Sequence, residues 1–326
     1  MVIALLAGGT GGAKLAVGLR DALASRGKGD ARADTNGGGT DGGGGLRVIA
    51  NTGDDIEVYG THVSPDPDLI TFRLAGVLGD RGFGIAGESH DEMDRRRAAG
   101  EDVWFELGDD DLAVCRARAM AMAAGATQTE AHRIATAAYP TGDATVLPMC
   151  DQPVRTVIAT PGAPRPLQEY LIRDRCEPAI EGVSFDGIES ARPTPLVERA
   201  IAEADAIVIG PSNPVISIQP ILALPGMRDL LCDADAPVLA VSPYVGGEVL
   251  KGPTAKFMAA AGMATGTRGV ADYYWDMVDA WIADEPAGDR PTLIADVRMD
   301  DRAGQLRLAR ELLRHAESLT RSVARP

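Results

Sequence analysis

Two groups of residues in this chain have types and spacings that could do chemistry: glycines that end an apolar run, and aspartates on turns further along. Gly8-Gly9-Thr10-Gly11-Gly12 follows the apolar residues 2–7 directly. Without side chains in the way, backbone amides there can approach an anion closely, and a helix starting at that point presents its positive end. The loop is therefore read as a phosphate cradle, with Lys14 beside it. It matches neither familiar phosphate loop. Lys14 stands where a dinucleotide fingerprint needs its third glycine, and Ala13 and Leu15 replace the glycine and the hydroxyl residue of a Walker loop. A nicotinamide-dependent dehydrogenase is disfavoured on that ground. A tight strand-to-helix turn would by itself also call for glycine.

Asn51, Asp54, Asp55, Asp66 and Asp68 fall on turns expected to leave the carboxyl end of a second strand. Hard carboxylates held close together suit magnesium, which keeps several waters and shares its remaining positions with substrate phosphate. The bland reading is that these are helix caps and solvated turns, with Asp68 capping its own helix. Ile209-Gly210-Pro211-Ser212-Asn213-Pro214 repeats the logic of the first loop: an apolar strand stops abruptly in small and polar residues, so Ser212 and Asn213 would face a strand-end crevice. Ser242-Pro243 and Lys251-Gly252-Pro253 are similar breaks, and Lys251 could neutralise a phosphate. Three aspartates at 109–111 fit the start of a helix by its dipole alone. His62, His90, His132 and His315 show no triad or metal-ligand pattern, and Cys115, Cys150, Cys176 and Cys232 are scattered, so reduced and mostly buried thiols are expected.

The elements that must position these groups follow from periodicity. Residues 2–7 read as a buried strand, 13–23 as a helix, 46–50 as a second strand, and 65–78 as a helix. Thr127-Gln128-Thr129-Glu130 is a capping box. Strand-like segments at 145–149, 154–160 and 168–172 lack intervening helices and suggest an added lobe or antiparallel sheet within 80–190. Alternation then resumes: helix 196–204, strand 206–210, strand 237–242, and helices at 254–261 and 305–322. This rhythm predicts an α/β protein, a Rossmann-like doubly wound and mainly parallel sheet in a single domain over 1–326, with ligands at the carboxyl ends of its strands. The stretch 27–45, rich in Gly, Asp and Thr, has no periodicity that could bury a face and reads as a surface insertion.

Of 326 residues, 45% are hydrophobic and 24% charged, the balance of a globular protein. No run approaches the ~20 apolar residues that cross a bilayer, and the opening residues lack the basic region of a signal peptide, so a cytoplasmic location is expected. The formal net charge of −15 argues against binding a nucleic-acid backbone or an anionic membrane, so a phosphate ligand must be held locally. Lysines number only four among 32 basic residues. Excess acid with arginine suits a high-salt cytoplasm and a halophilic source, although a GC-rich genome would also explain the arginine.

In order along the chain, Gly8-Gly9-Thr10-Gly11-Gly12-Ala13-Lys14, Asn51-Thr52-Gly53-Asp54-Asp55, Ser64-Pro65-Asp66-Pro67-Asp68, Leu107-Gly108-Asp109, Gly210-Pro211-Ser212-Asn213-Pro214 and Val241-Ser242-Pro243 together resemble the 2-phospho-L-lactate transferase family of coenzyme F-420 biosynthesis. The resemblance covers roughly residues 1–275. It implies transfer of a lactyl-phosphate or enolpyruvyl-phosphate group from a guanosine diphosphate-linked donor to the deazaflavin 7,8-didemethyl-8-hydroxy-5-deazariboflavin, with magnesium present and GMP released. Carried over by position, Asp68 and Glu106, with Asp66 beside them, are deazaflavin contacts, and Asp54 and Asp68 are metal candidates. Glu106 and Asp110 stand where the family often carries basic residues. Such a reaction needs alignment and charge neutralisation more than covalent help. Asp54 or Asp55 would hold the ion and a neighbouring carboxylate, Asp68 among them, would take the hydroxyl proton. The first loop and Ser212-Asn213 would grip the donor, and a homodimer is compatible with this reading. A non-enzymatic regulator that binds a nucleotide sugar on a related fold is the alternative.

Overall fold

The computed structural model describes residues 1–30, 45–249 and 252–319. Most of the expected surface insertion at 27–45, and Lys251, lie outside the described residues; only 27–30, which continue the first helix, and Gly45, which opens the second strand, fall within them.

Seven strands make the main sheet: β1 (Val2–Ala7), β2 (Gly45–Ala50), β3 (Ala144–Pro148), β4 (Ala206–Ile209), β5 (Val238–Val241), β6 (Ala280–Ala283) and β7 (Thr292–Ile294). All pair in parallel, in the order β7-β6-β5-β4-β1-β2-β3. The chain runs outward from β1 to β3, then returns to β4 on the other side of β1. That reversal opens a crevice at the carboxyl ends of β1 and β4, where ligands bind in doubly wound sheets.

β1 is apolar throughout because helices cover both its faces. Ile3, Leu5 and Ala7 point into one core with α1 (Gly9–Asp30), α2 (Pro65–Ala75) and the C-terminal helix Arg302–Ser318; Ala4 and Leu6 point into the other. Gly18 of α1 lets the C-terminal helix come close, since a Cβ there would sit 2.3 Å from the Gln305 carbonyl oxygen. α2 stops at Gly76, whose φ of +74° suits glycine alone among common residues.

Two sequence expectations change. Residues 145–149 do not join an added lobe but form β3, the edge of the main sheet, reached through a helical crossover of α2, α3 (Asp91–Ala98), α4 (Asp109–Ala123) and α5 (Gln128–Ala135). Residues 168–172 are not a strand; Glu169–Arg173 is a short wide helical turn. Buried Gln168 and Tyr170 imitate a strand's period of two, but the Tyr170 hydroxyl donates to the Pro178 carbonyl at 2.8 Å and anchors a local turn.

The chain beyond the sheet lies mainly in two excursions. One carries the hairpin Ile56–Val58/Thr61–Val63 with α3 and α4, which share a small core of Val58, Val63, Met93, Phe105, Leu107, Leu112 and Cys115. The other is an antiparallel sheet of Arg155–Ala159, Arg165–Pro166 and Gly182–Asp186. α5 begins with the expected reciprocal cap: Thr127 Oγ1 accepts from Glu130 N at 3.2 Å and Glu130 accepts from Thr127 N at 2.9 Å. Among the described residues no single helix is long and apolar enough to cross a membrane. Cys115 and Cys150 are buried and Cys176 and Cys232 half-buried, and none of the four is in a disulfide.

Candidate active site

A cleft of about 520 Å3 opens at the carboxyl ends of β1 and β4. Gly8, Gly9, Thr10, Gly11 and Lys14 line it from β1 and α1, Asp54 and Asp66 from the segment after β2, and Ser212, Asn213 and Ser217 from the segment after β4. A broader depression of about 620 Å3 lies among acidic residues such as Glu198, Asp229 and Asp233, at the opposite, amino ends of β4 and β5. It contains none of the glycine or aspartate motifs.

The glycine segment is not a free loop. Gly9 to Gly12 already form the first turn of α1, and their missing side chains serve close packing as much as ligand approach. A Cβ on Gly8 would meet Asp66 Oδ2 at 2.5 Å, one on Gly11 would meet the Pro211 carbonyl oxygen at 2.1 Å, and one on Gly12 would meet Ala7 at 2.6 Å. The first amide is taken: Gly9 N donates to Asp66 Oδ1 at 2.6 Å, so the protein sets one of its own carboxylates against the positive end of α1. Gly8, Gly9, Thr10, Gly11 and Lys14 all line the cleft on this side.

Asp66 and Asp54 are brought together by one amide. Asn51 Nδ2 donates to Asp54 Oδ1 and to Asp66 Oδ2, both at 2.9 Å, and lies 3.2 Å from the Ile216 carbonyl oxygen. Burial, and then the facing charge of Asp66, push the Asp54 carboxyl well above the usual aspartate range. Burial likewise pushes Asp66 up to about 6, against the two hydrogen bonds that favour its charge. Two carboxylates that resist carrying two negative charges at a cleft wall can exchange a proton near neutral pH or take up a cation.

Asp55 and Asp68, grouped with them in sequence, face elsewhere. Asp55 accepts from Ser64 Oγ at 2.8 Å, from His62 Nε2 at 2.9 Å and from the Gln128 side-chain amide. Asp68 faces away from the cleft to bond the fully buried Arg118, whose other nitrogen donates to the His62 carbonyl oxygen at 3.0 Å. Burial pushes Asp68 up and the Arg118 charge pulls it back. The structure brings Asp54 together with Asp66, whereas Asp68 lies near Asp111 and Cys115, with donor atoms within 4.8 Å, and near His132, whose Nδ1 is 3.8 Å from Asp68 Oδ1. Glu106 pairs with Arg97 beside α3 and does not line the cleft. Ser212 and Asn213 line it, but their side chains hold the architecture. Ser212 Oγ donates to the Gly8 carbonyl oxygen at 2.6 Å, and Asn213 Oδ1 accepts from the amides of Val215 and Ile216 at 2.9 and 3.3 Å.

Sequence reasoning missed His62 and Arg118. His62 sits between Asp55 and Glu57, its Nδ1 2.5 Å from Glu57 Oε1. Burial alone would lower its pKa, but the two carboxylates prevail and push it up to about 9, so the imidazolium persists at neutral pH. Because the folded value exceeds the ordinary His value near 6.5, this stabilisation is fully present below about pH 6.5 and is lost as pH rises through about 9. The melting-temperature gap between the wild type and His62→Gln should accordingly be widest near pH 6.5 and close by about pH 10. A gap that stays constant across that range would show that His62 is not charged in the folded protein.

A family model described as 2-phospho-L-lactate transferase CofD matches residues 3–314. Among curated proteins, the chain is 34% identical to a phosphoenolpyruvate transferase of Streptomyces coelicolor, over 98% of this chain and 99% of that protein. It is 35% identical to a 2-phospho-L-lactate transferase of Halobacterium salinarum, over 94% and 95% of the two. It is 34% identical to a 2-phospho-L-lactate transferase of Methanosarcina mazei, over 86% of each. Among solved structures, a UPF0052-family protein of Bacillus halodurans has a similar fold, with a TM-score of 0.56 at 14% identity over 97% of this chain and 98% of that one.

Proposed function

Because the chain belongs to the 2-phospho-L-lactate transferase CofD family and is a transferase of coenzyme F-420 biosynthesis, we propose the following reaction for its cleft. A 2-phospho-L-lactate or enolpyruvyl-phosphate group passes from a guanosine diphosphate-linked donor to 7,8-didemethyl-8-hydroxy-5-deazariboflavin, and GMP is released. The primary ribityl hydroxyl attacks the phosphorus that carries the lactyl or enolpyruvyl oxygen. The bond from that phosphorus to the bridging oxygen breaks, and the oxygen leaves with GMP.

The observation that carries this reading is the Asp54–Asp66 pair, held by Asn51 against the amino end of α1 and lining the same cleft as Thr10, Gly11 and Lys14. Facing carboxylates whose affinity for protons is raised by burial and by neighbouring carboxylates, Asp66 on Asp54 and Asp55 on both, fit a magnesium ion, which prefers hard oxygen donors. We assign Asp54 and Asp66 to hold it; when bound, it supplies neutralisation of charge on the transferring group. A carboxylate oxygen of the pair that the ion leaves free takes the proton of the attacking hydroxyl. Thr10, Gly11 and Lys14 orient the donor's phosphates, while Ser212 and Asn213 act by fixing the wall behind them. Asp55 and Asp68 act at one remove: each locks the segment that carries its neighbour in sequence, Asp54 or Asp66.

Purified protein given the deazaflavin, magnesium and either guanosine-linked donor should release GMP as the phosphodiester product forms. Tight nucleotide binding with no GMP release from either donor would instead favour a nucleotide-binding regulator on this fold.

A further inference from the structure

Phe83 is a large apolar side chain that lines the cleft yet keeps 53% of its surface exposed. It stands at the tip of a short loop whose base is closed by backbone bonds from Gly79 N to the Gly84 carbonyl oxygen at 3.0 Å and from Ala86 N to the Val77 carbonyl oxygen at 2.8 Å. Gly82 and Gly84, on either side, have φ of +86° and +66°, and Gly82 N donates back to the Gly79 carbonyl oxygen at 2.9 Å. The loop is thus a hydrogen-bonded turn built from glycines, not a frayed tip. The Arg81 guanidinium lies over the ring at 4.9 Å from its centroid and is itself held 3.2 Å from His90 Nε2. A phenyl ring left exposed at a cleft wall, on a fixed turn and with a cation over it, has the makings of a stacking platform for a flat heteroaromatic ring.

Topology decides which ring. The segments after β4 and β5, which include Pro211, Ser242 and Pro243, lie on one side of β1, and the segment after β2, which carries Asp66, Leu69 and Phe83, lies on the other. With phosphates held at Thr10 and Gly11, the acceptor falls on the β2 side because the Asp54–Asp66 pair proposed to take its hydroxyl proton lies there, and the β4–β5 side is left for the donor's nucleoside. Gln168 and Leu171 line the same cleft.

We propose that Phe83, backed by Arg81, is the stacking platform for the acceptor's planar ring and sets the enzyme's affinity for a tricyclic acceptor. This rests on the reaction proposed above, in which that ring is a deazaflavin. Phe83 is exposed, so its replacement should leave the fold intact.

The test titrates the wild type, Phe83→Ala and Phe83→Trp with two probes: the deazaflavin, followed by quenching of its own fluorescence, and GDP, followed by calorimetry. Phe83→Ala should bind the deazaflavin about tenfold more weakly or worse, Phe83→Trp should restore it, and GDP affinity should stay unchanged in both. Unchanged deazaflavin affinity in Phe83→Ala overturns the inference while leaving the reaction standing. Weakened GDP affinity with deazaflavin unaffected overturns it by giving the platform to guanine. A wild type that binds GDP but no deazaflavin overturns the proposed reaction, and this inference with it.

Discussion

Asp66→Asn is expected to slow transfer by roughly 1000-fold while leaving the melting temperature within a few degrees of the wild type or above it. Asp66 lines the cleft, faces Asp54 across the Asn51 amide and accepts from Gly9 N. Asparagine has nearly the same shape but can accept only one of those two hydrogen bonds, and it removes the charge proposed to hold the metal and to share the proton. The stability side runs the other way. A carboxyl whose folded pKa is raised to about 6, above the ordinary 3.8, favours the fold when protonated and opposes it once ionised above that pH. Neutralising it therefore relieves repulsion with Asp54, the pattern of a strained functional group that the rest of the fold sustains. Steady-state transfer rates with melting curves at pH 7.5 decide the matter. Near-normal turnover, or a loss of activity matched by a fall in melting temperature, would remove Asp66 from the reaction.

Arg118→Met should have the opposite signature: a melting temperature lower by on the order of 10 °C, from a loss of about 3–5 kcal/mol. Arg118 has no exposed surface, and its removal leaves the Asp68 carboxylate buried without its cation while the His62 carbonyl oxygen loses a donor. Burial works against the Arg118 charge, but the attraction of Asp68 outweighs it and holds the guanidinium above its ordinary range. Asp68→Asn should cost less, because the amide oxygen still accepts from Arg118, and Arg118→Met combined with Asp68→Asn should be more stable than Arg118→Met alone. The penalty of Arg118→Met should also shrink as pH falls, because an unpaired Asp68 can then take up a proton. Additive losses in the double variant, or a melting temperature within a degree or two of the wild type, would show that the two side chains are not coupled.

How much of this was legible in the sequence depends on how local each signal is. The strands at 2–7, 46–50, 206–210 and 237–242 were readable because a parallel strand covered on both faces is a short apolar run between breaks, and Thr127 and Glu130 announced their cap within one turn of helix. The separation of Asp66 from Asp68 was readable in principle. Residues two apart on a helix point to nearly opposite sides, so once α2 is taken to start at Pro65 only one of them can face the cleft. Treating 51–68 as one acidic patch overlooked that geometry. Arg118 could not be found, since its partners Asp68 and His62 are 50 and 56 residues away and nothing near it marks it among the other helix arginines. The same holds for β3: its strand pattern was visible, but its place at the edge of the main sheet depends on a crossover of four helices that pattern alone does not close.

β1 lies at the centre of the sheet, and its partners are made at very different times. It pairs with β2 on one side, but on the other Ile3 pairs with Ala206, and the outer face of α1 is covered by Leu308, Leu312 and Leu313 of the C-terminal helix. During synthesis β1, apolar throughout, therefore emerges well before its second neighbour and its cover exist. Contacts spanning such distances make folding slow and leave a sticky intermediate to be protected meanwhile. An amino-terminal fragment that carries Gly8 to Gly12, Asp54 and Asp66 but ends before β4 would lack one wall of the sheet that holds them, so those groups are not fixed in place until β4 and the helix Arg302–Ser318 have been made.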